Sequence, residues 1–273
     1  MNIVVTGSTR GIGRGLALQF LKRGQNVVVC GRSLAAAQTA AAELQSQATG
    51  GARAVAAACD VTDAVQVEAL WTTATAALGR IDIWINNAGA INTMRPVTEL
   101  VPGEIMSVPR TNLVGTMLCC RAALNGMARQ DPVNGRRGAI YNFEGFGSDG
   151  TKRPGMSIYG ASKFGLTYFT KCLIKETRGG DILVGFMSPG IVVTDMLLKA
   201  KDDLPPERWA KTKRIYRILA NDVDTVTAWL AERVLANSRH GAKIAWLTGA
   251  GAAGRFLKAL FVKPAPIPEL EAA

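Results

Sequence analysis

The 273-residue sequence holds a single histidine, His240, which lies in a polar stretch and carries no catalytic expectation. Its cysteines, Cys30, Cys59, Cys119, Cys120 and Cys172, are odd in number and lack metal-site spacing. They read as reduced core thiols of a cytosol-like compartment, not as a disulfide frame or a zinc site. No apolar run reaches the roughly 20 residues needed to span a bilayer. The first strand begins at residue 2, so no signal or transit segment is expected ahead of it; a cytoplasmic or stromal-type location follows, with peripheral membrane contact open. Acids are scarce beside bases, 21 against 32, for a formal charge of +11. A surface of that sign attracts acidic substrates, anionic lipid or nucleic acid. No aromatic-interleaved basic module accompanies it, so nucleic acid is not an expected partner. Hydrophobic residues make up 48% and charged residues 19%, which excludes a disordered chain and leaves an ample core.

What is present is an alternation of short apolar runs and helix-forming runs. Asn2-Ile3-Val4-Val5 opens the chain as a buried strand, and further strands are expected at Asn26–Cys30, Ala52–Cys59, Ile81–Asn86, Ala139–Phe143, Ile182–Met187 and Ile244–Leu247. Stretches such as Ala35–Gln47 and Val65–Ala77 carry helical composition. Alternating βα units with apolar strands imply an α/β fold: a Rossmann-type doubly wound parallel sheet of about seven strands with helices on both faces. No repeat or linker interrupts the pattern, so residues 1–273 are expected to form one domain. The proline-rich Lys263-Pro264-Ala265-Pro266-Ile267-Pro268 reads as irregular tail.

Directly after the first strand comes Thr6-Gly7-Ser8-Thr9-Arg10-Gly11-Ile12-Gly13. Three glycines permit a tight turn and a close backbone approach to a pyrophosphate, and the next helix, about Gly13 to Lys22, offers free N–H groups and its positive dipole end. Farther on, Tyr159-Gly160-Ala161-Ser162-Lys163 places a phenol and an ammonium on one face of a helix. A free phenol titrates at about 10, and a nearby cation favours the phenolate. The pair is therefore expected to exchange a proton with a carbonyl oxygen near neutral pH. Strand two ends Cys30-Gly31-Arg32-Ser33, with no acid to bind a ribose 2′-hydroxyl. Arg32 can instead pair a 2′-phosphate and stack on adenine, with Arg10 as a second cation, so NADPH is favoured; the alternative is that both are solvated surface charges.

The spacing TGxxxGxG resembles the short-chain dehydrogenase/reductase family. Asp60-Val61, Asn86-Asn87-Ala88-Gly89, Asn112, Tyr159/Lys163 and Ser188-Pro189-Gly190 follow in the family's order, so the resemblance covers almost the whole chain. It implies cofactor contacts from Gly7, Ser8, Thr9, Arg10, Gly11, Ile12 and Gly13, from Arg32 and Ser33, and from Asp60 and Val61. Asn87, Ala88 and Gly89, and then Pro189, Gly190, Val192 and Thr194, complete that set. It also implies Tyr159 as proton donor, Lys163 as the residue that tunes it and holds the nicotinamide ribose, and Asn112 as support for a relay water. No metal is implied. A homo-oligomer assembled through the fifth and sixth helices is the family's common form.

One position departs from the family. Its catalytic serine follows strand five, but here Asn142-Phe143-Glu144-Gly145-Phe146-Gly147-Ser148-Asp149-Gly150 puts Gly145 at that place. This segment is similar to the one preceding YGAtK in chlorophyll b reductases, as are Ser188 to Leu198, Arg217-Ile218-Leu219-Ala220 and Leu247-Thr248-Gly249, although Glu144 and Phe146 differ in detail. The resemblance implies reduction of the C7 formyl group of chlorophyll b by NADPH, with Gly145 opening space beside a large substrate and Ser148 as the hydroxyl donor. Another bulky carbonyl, or a non-catalytic NADP(H)-binding role, are the alternatives. Met196 to Arg217 is where the family builds a substrate lid. Here Leu197, Leu198, Trp209, Ile215 and Tyr216 stand among lysines and arginines, which suits a membrane or pigment-protein surface or an ordinary lid face. The tail from about 254 to 273, with Arg255-Phe256-Leu257-Lys258-Ala259-Leu260-Phe261-Val262-Lys263, poses the same choice or covers a neighbouring subunit.

Overall fold

The computed structural model describes residues 1–262, 264 and 267–271. Within them a parallel sheet is built from β1 (Asn2–Val5), β2 (Asn26–Gly31), β3 (Ala54–Ala58), β4 (Ile83–Asn86), β5 (Gly138–Phe143), β6 (Ile182–Ser188) and, near the end, Lys243–Ala245. The last strand pairs with β6, giving an order with β3 and Lys243–Ala245 at the two edges and β1 beside β4. The switch in strand direction of travel thus falls between β1 and β4, where an open α/β sheet forms its ligand crevice.

Period-two alternation assigns each strand residue to a face. Ile3, Val5, Val27, Val29, Ile83, Ile85 and Tyr141 pack under α1 (Gly11–Leu21) and α2 (Leu34–Gln45), together with a later helix, Val223–Ala236. Val4, Val28, Cys30, Trp84 and Ile140 pack on the other face under α3 (Ala64–Leu78) and two further helices. Cys59, Cys119 and Cys120 also lie in that second cluster, where burial pushes the Cys30, Cys59 and Cys120 thiols up to about 12. Expected strand ends are trimmed: Ala52 and Cys59 fall outside β3, and Ile81 precedes β4. The final strand keeps three residues, Lys243–Ala245, paired along Phe186–Ser188, so Trp246 and Leu247 fall outside it.

The helix after β4 is broken by its own sequence. Helix α4 (Pro102–Pro109) contains Pro109, which has no N–H to donate, and the chain continues as a π-helical turn (Arg110–Gly115) into α5 (Thr116–Met127). After β5 comes α6 (Ser157–Glu176), the longest helix. Beyond β6, β7 (Ile191–Val192), α7 (Asp195–Leu198), α8 (Ala200–Asp203), α9 (Pro206–Leu219) and β8 (Ala220–Asn221) form a separate small cluster, with Val193, Leu204, Trp209 and Tyr216 at its centre. Helix α10 (Val223–Ala236), β9 (Lys243–Ala245), α11 (Gly249–Ala259) and α12 (Pro268–Glu271) complete the described chain. Among the described residues no helix is long and apolar enough to cross a membrane.

His240 is structural, as its sequence context suggests. Its Nδ1 lies 3.3 Å from the Val184 N–H and its Nε2 2.8 Å from the Ile174 carbonyl, tying β6 to α6.

Candidate active site

The loop after β1 is fixed by contacts that only glycine allows. Gly7 has φ +64°, and a Cβ there would stand 2.9 Å from the Ala88 Cα. At Gly13 a Cβ would meet the Asn87 Nδ2 at 2.4 Å and the Gly7 carbonyl at 2.5 Å. Asn87 braces the loop directly, its side chain donating to the Thr6 and Gly7 carbonyls. The Thr6 hydroxyl accepts from the Asn87 and Ala88 N–H groups. Ser8 turns inward: its hydroxyl donates to the Val5 carbonyl at 2.6 Å and accepts from the Cys30 N–H, so its side chain is a brace of the loop and does not reach the crevice. Thr9 abuts Gly31, and Gly11, with φ +55°, faces Thr194.

Helix α1 has no acid in its first turn and, unlike α2, α3 and α10, which Ser33, Asp63 and Asp222 cap, no side-chain cap. Its orphan N–H groups and dipole therefore remain for an anionic group, and the residues present fit a dinucleotide pyrophosphate. Exposed Arg10 and Arg32 flank this end of the sheet. Asp60 holds its own turn by accepting from the Thr62 N–H, Val61 packs on Gly115, and Gly89 lies beside Asn112. On the far side, Gly190 takes φ +70° against Leu247, Pro189 and Val192 are buried, and Thr194 caps α7 through the Leu197 N–H.

A buried polar chain carries the sheet into α6. Trp84 donates to Asn86, Asn86 to Asn142 at 2.8 Å, and Asn142 to the Thr170 hydroxyl at 2.9 Å. Asn92, also buried, accepts from the Tyr159 N–H and donates to the Gly155 carbonyl, capping the first turn of α6. Asn112 sits in the π-helical turn with no exposure, accepting from the Ala90 N–H and donating to the Ala90 carbonyl and the Ser162 hydroxyl. Its side chain thereby ties the loop after β4 to α6. Asn86, Asn142 and Ser162 lie within the motifs read from the sequence but received no role there, and Asn92 and Thr170 lie outside them; their bracing contacts come from other elements.

The tyrosine and lysine come together as the helical spacing requires, with the Lys163 Nζ 5.9 Å from the Tyr159 ring centre. Their electrostatics differ from the expectation. Burial pushes the Tyr159 phenol up to about 12. It pulls the Lys163 ammonium down to about 8, against a smaller opposing pull from the Glu144 carboxylate. The Nζ donates to the Phe143 carbonyl at 3.0 Å, not to the phenol. Desolvation outweighs the cation here, so the phenol is held protonated and the lysine is the group that titrates nearer neutrality.

Gly145 also departs from expectation. A Cβ there would lie 2.4 Å from the Tyr159 hydroxyl and 3.2 Å from the Lys163 Cε. The room left by the missing side chain is filled by the phenol itself, so it does not stand open for a substrate. Ser148 is buried and its hydroxyl accepts from the Gly145 N–H at 3.0 Å, which makes it first of all the brace of this turn. Gly147, with φ +88°, brings the turn against Gly160, where a Cβ would be 2.7 Å from the Cα.

Of the two readings open for the apolar residues of 196–217, a membrane or pigment-protein surface or an ordinary lid face, burial of most of them favours the second. Trp209 and Tyr216 are in the small cluster, Leu197 and Leu198 pack against it, and Ile215 alone of the five is exposed. Asp203 accepts from the Met94 N–H, and Arg153 donates to Thr212, which latches this region to the loops after β4 and β5. In the tail, Phe256, Leu257, Leu260, Phe261 and Val262 are exposed; Lys263 lies outside the described residues.

A glycine loop on an uncapped helix, at the switch point of a parallel sheet, with a tyrosine and lysine on the facing helix, defines an NAD(P)H-linked oxidoreductase. The chain belongs to the short-chain dehydrogenase family, whose model matches residues 1–205. It is 37% identical over 256 residues to chlorophyll(ide) b reductase NOL of Arabidopsis thaliana, covering 91% of this chain and 70% of that protein. It is 34% identical over 261 residues to a probable chlorophyll(ide) b reductase NYC1 of Oryza sativa, where 90% of this chain spans only 50% of the relative. An actinorhodin polyketide ketoreductase solved with NADPH superposes with a TM-score of 0.78 at 27% identity, over 92% of this chain and 97% of that one.

Proposed function

We propose that the protein reduces a carbonyl on a bulky apolar substrate with NADPH, and that the substrate is chlorophyll b, whose C7 formyl group becomes the alcohol of 7-hydroxymethyl chlorophyll a. The single observation that supports this best is Gly145 set against the Tyr159 hydroxyl at the place of the family's serine, within a segment like that of chlorophyll b reductases. The likeness to relatives of that printed name runs over nine-tenths of the chain. NADPH would be held along Gly7–Gly13, with Arg32 and Arg10 available to its 2′-phosphate, and would supply the hydride for the formyl carbon. Tyr159, protonated at physiological pH, gives its proton to the oxygen as charge develops there. Lys163 is positioned to stabilise the resulting phenolate, and Asn112 supports the path that returns the proton. Ser148 braces the turn by accepting from the Gly145 N–H and would offer its own proton to the substrate oxygen.

Residues 196–217 act as a substrate lid in this reading, latched by Asp203 and Arg153. The exposed Phe256, Leu257, Leu260, Phe261 and Val262 beside Lys258 suit contact with a pigment-bearing membrane in a reducing, stromal-type compartment. Exposed Phe164 and Tyr168 on α6 suit a homo-oligomer. The test is incubation of the purified protein with NADPH and chlorophyll b in detergent, followed by pigment analysis. The hydroxymethyl product is expected, with a loss on the order of 10²-fold or more in Tyr159→Phe. No product despite NADPH binding would move the reaction to another large aldehyde or ketone.

A further inference from the structure

Glu144 is an acid buried beside the tyrosine–lysine pair, and the mechanism above does not use it. It lies between Phe143, whose carbonyl takes the Lys163 Nζ hydrogen bond, and Gly145, which backs the Tyr159 hydroxyl. Its own N–H donates to the Met187 carbonyl at 2.8 Å, which clamps it between the ends of β5 and β6. The side chain is only 7% exposed, and its Oε2 meets the Lys243 Nζ at 2.7 Å; that lysine, from β9, is 53% exposed. A carboxylate in such a place persists as an ion only when partnered, and here a surface lysine reaches in to partner it.

We propose that Glu144, held by Lys243, is a positioning residue for the Tyr159–Lys163 pair: its buried carboxylate is the counter-charge at the turn whose Phe143 carbonyl holds the Lys163 Nζ and whose Gly145 backs the phenol. The role in turnover rests on the reading of Tyr159 and Lys163 as the proton-transfer pair. The charged or titratable groups around Lys163 are few. Tyr159 faces it from its own helix and Glu144 from the turn after β5. Lys243 faces Glu144 from β9 and helps hold the Asp149 carboxyl low across the same turn. Strand β6 carries no titratable side chain. On the 102–115 segment, Glu104 is bound to Thr93 and Arg110 acts on Asp63. Glu144 is thus the acid whose charge acts on Lys163, and it opposes the burial that lowers the ammonium to about 8.

Titration of Lys163 by NMR in protein labelled with [ε-13C]lysine tests this, the resonance being assigned by its loss in Lys163→Met. The midpoint is expected to fall in Glu144→Gln and to return toward the wild-type value in Glu144→Asp. In Lys243→Met it is expected to fall as well, but by less, since the buried carboxylate then loses the partner that keeps it charged. The alkaline limb of the kcat profile for carbonyl reduction is expected to move in the same directions. An unchanged midpoint in folded Glu144→Gln would overturn the proposal. So would an equal fall in Glu144→Gln and Lys243→Met, which is what general loosening of the turn produces. If Glu144→Gln does not fold, a fall in Lys243→Met supports the proposal and an unchanged midpoint there overturns it. Midpoints that move as stated in a protein that reduces no carbonyl would support the role of Glu144 while removing the reductase reading.

Discussion

Two glycine-bearing turns close the carboxyl end of the sheet, and they use the missing side chains differently. In the turn after β1, Gly7 and Gly13 press on the Asn87–Ala88 segment, so the loop is locked to backbone and to a buttressing asparagine. In the turn after β5, Gly145 and Gly147 press on α6, one against the Tyr159 hydroxyl and the other against the Gly160 backbone. The first turn is shaped to hold a ligand at a helix N-terminus. The second is shaped to hold a protein group, the phenol, in a given place. Glycine therefore marks close approach in both, but only the atoms across the gap say whether the approach serves the cofactor or the acid.

The sharpest break in that comparison is Gly13→Ala. The new methyl meets the Gly7 backbone carbonyl at 2.5 Å and, at 2.4 Å, the Asn87 Nδ2, which is itself tied to the Thr6 and Gly7 carbonyls. A loss of about 3 kcal/mol or more in unfolding free energy is expected, with NADPH binding lost, read by denaturant melts and fluorescence titration. Gly145→Ala should separate the two turns. It displaces the phenol, so kcat is expected to fall on the order of 10²-fold while NADPH affinity stays within a few-fold of wild type. Equal loss of both would show that the second turn also shapes the cofactor site.

The smallest effect concerns Lys163, and it has a definite sign. The ammonium titrates at about 8 in the folded protein against 10.5 for the free group. Between those values the unfolded chain binds more protons, so stability rises with pH across that window and the burial penalty is present in full below it. Lys163→Met should accordingly stabilise the protein by roughly 2–3 kcal/mol at pH 7. The gain should shrink through pH 8 to 10.5, as followed by urea melts at each pH. Activity should be lost in the same variant, which would mark the lysine as a residue kept at the expense of stability.

The legible parts were those written in spacing. Short apolar runs alternating with helical runs marked the seven parallel strands, while their order rests on which strands pair. The glycine loop and the tyrosine–lysine face were readable for the same reason: fixed offsets on a strand, a turn and a helix. Strand ends were less so, since Ala52, Cys59 and Ile81 are as apolar as the residues that pair, and pairing depends on the neighbouring strand. The lid residues Trp209 and Tyr216 carried an amphipathic pattern, but that pattern alone could not tell a membrane from the Val193–Leu204 cluster that covers them. Asn92 was silent, and the bracing roles of Asn86 and Asn142 were unreadable within their motifs, because their partners lie on other elements.

The sequence by itself determined the parallel sheet, the glycine loop on α1 and the presence of a tyrosine and lysine on one face of α6, because each depends on local periodicity and on residues close in the chain. Tertiary structure decided what fills the gap at Gly145, that burial raises the phenol and lowers the ammonium, and that Glu144 is joined by Lys243. Those outcomes depend on desolvation and on charges brought together from distant segments, and neither has a signature in spacing along the chain.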